Sequence, residues 1–210
     1  MMVPHRTPFF LPALYPSSLK WRVHTQAREL FLTFDDGPVN GPTEFVLDTL
    51  RQYNAKATFF CIGDNVRKHQ QVFDAILNDG HIVGNHTYHH LNGWKTATAE
   101  YLDNVMKCEE VIGASGKGKR RLFRPPYGRI TRSQIRSLGA FDIIMWDVLA
   151  IDYDQRLSPE KCLKNTLAAT RSGSIIVFHD SVKAEQNMTF ALPRMLDHFS
   201  SLGFTFNSLM

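Results

Sequence analysis

Two adjacent acids, Asp35 and Asp36, stand in the stretch FLTFDDGPVN, directly after a run of strand-forming residues and directly before Gly37-Pro38. Adjacent carboxylates repel each other, and water or a cation relieves this repulsion. A helix cap or a turn would use the same residue types. The pair therefore has to be interpreted together with the other polar residues of the chain.

Further residues that could do chemistry also follow predicted strands. They come from five segments: Asp35 and Asp36, then His86, His89 and His90, then Arg124 and Tyr127, then Trp146, Asp147 and Asp152, and finally His179 and Asp180. Each has an ordinary structural alternative as a cap, a surface histidine, a salt bridge or a core side chain. The carboxyl ends of successive strands meet at one rim of an α/β fold. Independent structural roles do not explain why all five segments place these residues at that rim.

The spacing of two histidines favours metal chemistry. His86 and His90 are four residues apart, so on a helical turn both imidazoles face the same side at metal-bridging distance. Two histidines and one carboxylate, with positions left for water, bind zinc and other first-row divalent ions. One acid of the Asp35-Asp36 pair would bind the cation, and the other would accept a proton from water. The set predicts metal-assisted hydrolysis.

Short strands and amphipathic helices alternate along the chain and must position these residues. Helix patterns cover residues 41–54, 65–80 and 158–173, and seven strand patterns cover residues 29–34, 57–62, 81–84, 121–124, 141–146, 174–179 and 204–206. Such a repeat predicts a parallel sheet covered by helices, and a closed barrel and an open doubly wound sheet both fit. We expect one domain over residues 28–210, preceded by a proline-rich N-terminal segment, residues 1–27.

Composition argues against several classes of protein. With 210 residues, 43 % of them hydrophobic, the chain can bury a large core, and its net charge of +4 is only mildly basic. The densest basic run, residues 116–121, is short and contains glycine, which favours a solvated loop over a nucleic-acid surface. Three scattered cysteines argue against disulfides and a Cys-ligated zinc site. Since no stretch reads as a signal peptide or a membrane span, we expect a cytoplasmic protein.

Four motifs resemble those of the polysaccharide deacetylase family, the NodB-homology domain of carbohydrate esterase family four. TFDDGP at residues 33–38 matches the first motif in full, HTYHH at 86–90 fits H-[ST]-x-x-H, and RPPYG at 124–128 fits the third. VFH at 177–179 is a variant of the Leu-x-His fifth motif. The similarity runs from about residue 28 to the C-terminus. It implies a distorted (β/α)7 barrel that removes N-acetyl groups from N-acetylated amino sugars and releases acetate.

The resemblance implies a role for each matched residue. Asp35 would be the catalytic base, Arg124 would orient it, and His179 would be the general acid. The backbone N–H of Tyr127 would help to hold the oxyanion. One divalent metal ion, with zinc expected and Co²⁺ or another first-row ion also fitting, would be bound by Asp36, His86 and His90.

The fourth motif departs from the family pattern D-x-x-D-W. Leu149 stands at the first Asp, Asp152 at the second and Tyr153 at the Trp. In the family the first Asp is thought to hold and charge the catalytic histidine. We therefore expect Asp147 or Asp152 to tune His179 in its place.

Two other functions stay open at this point. The aromatic residues near the rim, Trp94, Tyr127, Trp146 and Tyr153, suit stacking on a sugar but would also line a pocket for a small heterocycle. A non-catalytic carbohydrate-binding barrel would explain the missing acid at position 149, and a hydrolase of a non-sugar amide or cyclic ureide would use the same site. The sequence also leaves open the oligomeric state and whether the glycan is chitooligosaccharide, peptidoglycan or a lipid-linked sugar.

Overall fold

A computed structural model describes residues 4–113 and 121–209. Its strands are β1 Glu29–Asp35, β2 Thr58–Cys61, β3 Ile82–Asn85, β4 Arg121–Phe123, β5 Phe141–Ile143, β6 Val148–Leu149, β7 Ile175–His179 and β8 Thr205–Asn207. Its helices are α1 Pro42–Gln52, α2 Gly63–Lys68, α3 Gln70–Asn78, α4 Thr98–Ile112, α5 Arg132–Ser137, α6 Pro159–Ala169 and α7 Glu185–Ser201. The predicted solvated loop lies outside the described residues, except for Arg121, which begins β4.

The strands form one curled parallel sheet with helices packed around it. The order is β5-β4-β3-β2-β1-β7-β6, and β8 pairs with the start of β1. All seven predicted strands are present. The sequence pattern missed β6, because only Val148 and Leu149 pair with β7 there, and two residues are too few to show a period. The single-domain distorted (β/α)7 barrel that the sequence implies is confirmed.

Residues before β1 fill the opening between the two edges of the sheet, β5 and β6. The backbone from His5 to Thr7 pairs antiparallel with β6. Further along, Lys20 N–H donates to Ile143 O at 2.9 Å, and Lys20 O accepts from Met145 N–H at 2.7 Å. The N-terminal segment therefore contributes to closure of the barrel.

Alternate residues of β1 and β7 face opposite sides of the sheet, as the period of two in a strand requires. The side chains that pack beneath the helices are Leu30, Leu32 and Phe34 in β1 and Ile176 and Phe178 in β7. The residues between them face the barrel interior, and the last of these are Asp35 and His179, which are partners in the register. The strand pattern thus brings the first and fifth motifs to the same rim.

The three predicted helix patterns are helical with one difference, and no pattern was predicted for α4, α5 and α7. The pattern over residues 65–80 is two helices, α2 and α3, separated at His69, where φ is −127° and ψ is 49°. Gly80 follows α3 with φ of 73° and ends this region. At the start of α6, Ser158 Oγ accepts the Lys161 N–H at 3.4 Å, as its N-cap position predicts. Within the described part of the chain, no helix combines the length and apolar character needed to cross a bilayer.

Candidate active site

The carboxyl ends of the strands open into one groove with a volume of about 490 Å³. All five polar segments contribute to it. Its lining residues are Asp35, Asp36, His86, His90, Tyr127, Arg129, Trp146, Leu149, Tyr153, Val177, His179 and Lys183.

On one side of the groove, Asp35 forms a buried ion pair. Arg124 Nη1 donates to Asp35 Oδ1 at 2.7 Å and also to Thr33 Oγ1 at 2.7 Å. This guanidinium is fully buried. Its Nε donates to Ile144 O at 3.2 Å, and its Nη2 donates to Met145 O at 3.0 Å. Arg124 is therefore held on several sides, and its orientation fixes that of the Asp35 carboxylate.

Burial lowers the pKa of Arg124, and the charge and hydrogen bond of Asp35 oppose this shift. An arginine side chain stays protonated in proteins even so. The guanidinium also lies over the Phe60 ring, 4.1 Å from its centroid. A permanent cation therefore stands behind Asp35 and pairs with its carboxylate.

Beside this pair, three side chains form a candidate metal site. One ligand atom from each of Asp36, His86 and His90 lies within 4.8 Å of the other two. Asp36 Oδ1 is 3.2 Å from His90 Nε2 and 3.6 Å from His86 Nε2. Burial raises the pKa of Asp36, but the hydrogen bond from His90 and the charges of the nearby imidazoles outweigh burial and hold the pKa well below its ordinary range.

The surroundings of His86 leave one ring nitrogen ready for a metal. Its Nδ1 lies 2.8 Å from Arg124 O, and since a carbonyl only accepts, Nδ1 carries the proton. Burial lowers the pKa of His86 to about 4, so the neutral ring is favoured and Nε2 keeps its lone pair. A backbone carbonyl that fixes the tautomer is a usual feature of a metal-binding histidine.

The spacing of His86 and His90 predicted a helical turn, and this prediction was wrong. The two histidines lie on an irregular loop instead. Residues 86–90 are not helical, and Thr87 and His90 have φ of 63° and 54°. Asn104 Oδ1 holds this loop by accepting the N–H of Tyr88 at 2.8 Å and of His89 at 3.0 Å. The His89 side chain lies outside the groove lining and contacts Asp64 at 2.6 Å.

On the adjacent strand β7, His179 has an acid partner. Its Nδ1 is 2.8 Å from Asp152 Oδ1, and its backbone N–H donates to Asp152 Oδ2 at 2.7 Å. Burial lowers the pKa of His179, but the charge and hydrogen bond of Asp152 outweigh it, and Asp36 and Asp35 add to the shift. Together these effects raise the pKa of His179 to about 9.

Asp147 does not tune His179, so that part of the prediction was wrong. Its carboxylate accepts the Ser174 hydroxyl at 2.7 Å and lies 3.3 Å from Arg171. Ser174 precedes the first residue of β7, whereas His179 is the last. The missing acid at Leu149 does not deprive His179 of a partner either, because Asp152, at the second motif position, provides it.

Three of the four predicted aromatic residues line the groove, and they differ in exposure. Tyr127 is 59 % exposed, has φ of 60°, and its ring centroid is 4.6 Å from that of His90. Trp146 is half-buried against Gly128, where a Cβ would lie 2.6 Å from the indole. The Tyr153 ring meets His179 edge to face at 5.0 Å. Trp94 is exposed and is not part of the lining.

Three residues that the structure brings to this region had no role predicted from the sequence. Arg129 and Lys183 line the groove, and each lies near an aromatic ring, at 5.3 Å from that of Trp94 and 5.5 Å from that of Tyr153. Asp180 is buried beside the groove, and its burial raises the pKa to about 8 despite the hydrogen bonds it accepts. Its position directly after His179 was the only sequence signal.

The chain is similar to known proteins in both sequence and structure. The sequence profile described as polysaccharide deacetylase matches residues 22–144. A peptidoglycan-N-acetylglucosamine deacetylase of Bacillus cereus is 35 % identical over 184 residues, which are 86 % of this chain and 66 % of that protein. This chain therefore spans slightly less than two thirds of that relative's length.

Two further proteins are similar over most of their own length. A chitooligosaccharide deacetylase of Azorhizobium caulinodans is 31 % identical over 170 residues, 79 % of this chain and 80 % of that protein. The crystal structure of the Bc1960 peptidoglycan N-acetylglucosamine deacetylase, in complex with 4-naphthalen-1-yl-N-oxidanyl-benzamide, has a TM-score of 0.86 and 32 % identity, covering 97 % of this chain and 95 % of that one. The chain belongs to the polysaccharide deacetylase family.

Proposed function

We propose that this protein is a metal-dependent hydrolase that removes N-acetyl groups from N-acetylated amino sugars and releases acetate. One observation carries the proposal: Asp35 and His179 are register partners on adjacent strands and line one groove with the candidate metal site. A proton acceptor and a proton donor beside a metal site are what hydrolysis of an amide requires.

The donor set fits a divalent cation, and zinc is the ion that we propose. Two imidazoles and one carboxylate offer their ligand atoms within 4.8 Å of one another, and Co²⁺ or another first-row ion suits the same donors. When bound, such an ion lowers the pKa of water to roughly 7 and polarises a carbonyl oxygen.

Asp35 is the proposed base. Arg124 engages its Oδ1, while its Oδ2 lies 4.0 Å from His86 Nε2, on the side of the metal site. The free oxygen can accept the proton of a water molecule that attacks the acetyl carbonyl. Arg124 does not exchange protons and acts by orienting the carboxylate.

His179 is the proposed acid. Because Nδ1 is directed at Asp152, the ring carries its transferable proton on Nε2. A pKa of about 9 keeps the imidazolium populated at neutral pH. Transfer of this proton to the amide nitrogen lets the amino sugar leave as a neutral amine while the C–N bond breaks. We also propose that the Tyr127 N–H donates to the negative charge that develops on the carbonyl oxygen.

An N-acetylglucosamine glycan is the proposed substrate, either peptidoglycan or chitooligosaccharide. The names of the related deacetylases and the aromatic lining of the groove support this choice. The non-catalytic alternative loses its main argument, because Asp152 partners the histidine that the change at Leu149 had put in doubt. No contact in the groove specifically favours a cyclic ureide.

Acetate release tests this proposal. Metal-free protein is reloaded with Zn²⁺ or Co²⁺ and incubated with peptidoglycan fragments, chitooligosaccharides and a cyclic ureide. We expect acetate from at least one glycan, none without metal, and no hydrolysis of the ureide. Asp64→Asn, which changes a half-buried acid outside the groove lining, is the control variant and should be active. Absence of acetate from every glycan would contradict the proposal.

A further inference from the structure

Asp180 is a buried carboxylate that the proposed reaction does not use. It follows His179 directly and is fully buried. Its Oδ1 accepts the Gly37 N–H at 3.0 Å, and its Oδ2 accepts the Thr43 hydroxyl at 2.6 Å. The side chain therefore joins the end of β7 to the turn that follows β1.

This turn, residues 35–37, carries the proposed base and a metal ligand, and it lies against Asp180 without spare room. A Cβ on Gly37 would lie 1.9 Å from Asp180 Oδ2, so glycine is required for this close approach. Asp36 has φ of 81°, in the left-handed region. A residue other than glycine keeps such a conformation only where its surroundings hold it.

Backbone contacts hold the other residues of the turn. The Asp180 N–H donates to Asp35 O at 3.2 Å, and Asn65 Nδ2 donates to Asp36 O at 2.7 Å. Each of the three turn residues thus has a backbone group in a hydrogen bond. Gly37 O also accepts the Ile62 N–H at 3.0 Å, and Asp180 takes part in two of these four bonds.

We infer that Asp180 is a positioning residue that holds the turn of residues 35–37 in register with His179. It does not line the groove, so it acts on the reaction through Gly37. Its effect is to fix the separation between the metal ligand Asp36, the base Asp35 and the acid His179. The inference rests on the proposed function, because that proposal assigns these three roles.

A purely structural role would give a different pattern. The same carboxylate also contacts Thr43 on α1, and a brace between β7 and α1 would stabilise the fold without acting on the site. Thr43→Val removes this second contact and leaves the contact with Gly37. Asp180→Ala removes both, and Asp180→Asn keeps an oxygen acceptor for Gly37. These three variants separate the two roles.

The experiment measures thermal unfolding, Co²⁺ affinity by chelator competition, the Co²⁺ absorption spectrum, and kcat and KM for acetate release. For Asp180→Ala we expect a Co²⁺ affinity weaker by roughly 10-fold or more, an altered spectrum, and a kcat lower by roughly 10²-fold with KM little changed. Asp180→Asn should keep most of the wild-type Co²⁺ affinity and most of the wild-type kcat. Thr43→Val should unfold at a lower temperature but keep the wild-type spectrum and kcat.

Two results would overturn the inference. One is a folded Asp180→Ala protein with the wild-type Co²⁺ spectrum and kcat. The other is a Thr43→Val protein with the same loss of Co²⁺ affinity and kcat as Asp180→Ala. This result would show that Asp180 acts only through its contact with α1. If Asp180→Ala does not fold, Asp180→Asn compared with Gly37→Ala decides, because Gly37→Ala should alter the spectrum by displacing the turn while Asp180→Asn should not. If the wild type releases no acetate from any glycan, the proposed function fails, but the Co²⁺ measurements still test the positioning role.

Discussion

Two ion pairs lie at the groove, and their contact distances are nearly equal. Arg124 lies 2.7 Å from Asp35, and His179 lies 2.8 Å from Asp152. In the first pair the acid lines the groove and the cation lies behind it, whereas in the second the imidazole lines the groove and the acid lies behind it. The same kind of contact therefore presents a proton acceptor to the groove in one pair and a proton donor in the other.

The two pairs also differ in how they respond to pH. Arginine does not lose its proton in the accessible range, so the environment of Asp35 is constant near neutral pH. The His179 ring does titrate, with a pKa that Asp152 raises above the ordinary 6.5 to about 9. The alkaline side of the pH profile should therefore report the His179 pair.

The largest effect is expected on the side of the acceptor. Asp35→Asn removes the proton acceptor while leaving the three metal donors in place, and kcat should fall by roughly 10³-fold. Co²⁺ affinity should stay within a few-fold of wild type, which chelator competition measures. An Asp35→Asn enzyme with near-normal acetate release would show that Asp35 is not the proton acceptor.

A smaller effect is expected on the side of the donor. His179 must be protonated to act, so activity is present below its pKa and is lost as the pH rises through about 9. Asp152→Asn removes the charge that raises this pKa, so the loss should begin at lower pH and kcat should fall by roughly 10²-fold.

The pH profile of Asp152→Asn gives the measurement, with Asp154→Asn as its control. Asp154 is the next acid along the chain and pairs with the exposed Arg156 at 2.8 Å. Its replacement should leave the profile unchanged. An alkaline limb that stays in place in Asp152→Asn would show that another group sets the pKa of His179.

The smallest effect on catalysis is expected at Asp147. Its contacts are with Ser174 and Arg171, away from His179. Asp147→Asn should leave kcat and the pH profile unchanged and reduce the free energy of unfolding by about 1–3 kcal/mol, since it perturbs a buried hydrogen bond. Denaturant unfolding measures the stability, and a shifted pH profile would restore Asp147 as a tuning residue.

Sequence periodicity was sufficient to predict most of the fold and which segments meet. Strand alternation places Asp35 and His179 on the interior face, and the strand-end rule brings the five segments to one rim. The two-residue strand β6 was missed because it is too short to show a period. A cytoplasmic location and a domain that begins at residue 28 stay predictions.

The local geometry of the site was harder to predict. His86 and His90 converge through positive φ at Thr87 and His90, and neither residue type signals a left-handed conformation as glycine does. The choice between Asp147 and Asp152 depended on which of them lies at the C-terminal end of β7. Periodicity could not decide that, because the five-residue separation includes the irregular turn at Ile151, where φ is 57°.

The most direct test of the account is anomalous X-ray scattering from crystals soaked in Zn²⁺. We expect one zinc peak bonded to Asp36, His86 Nε2 and His90 Nε2 at roughly 2.0–2.2 Å, with Asp35 still paired with Arg124 and not bonded to the ion. A peak that includes Asp35 among its ligands, or no peak among these three side chains, would contradict the account.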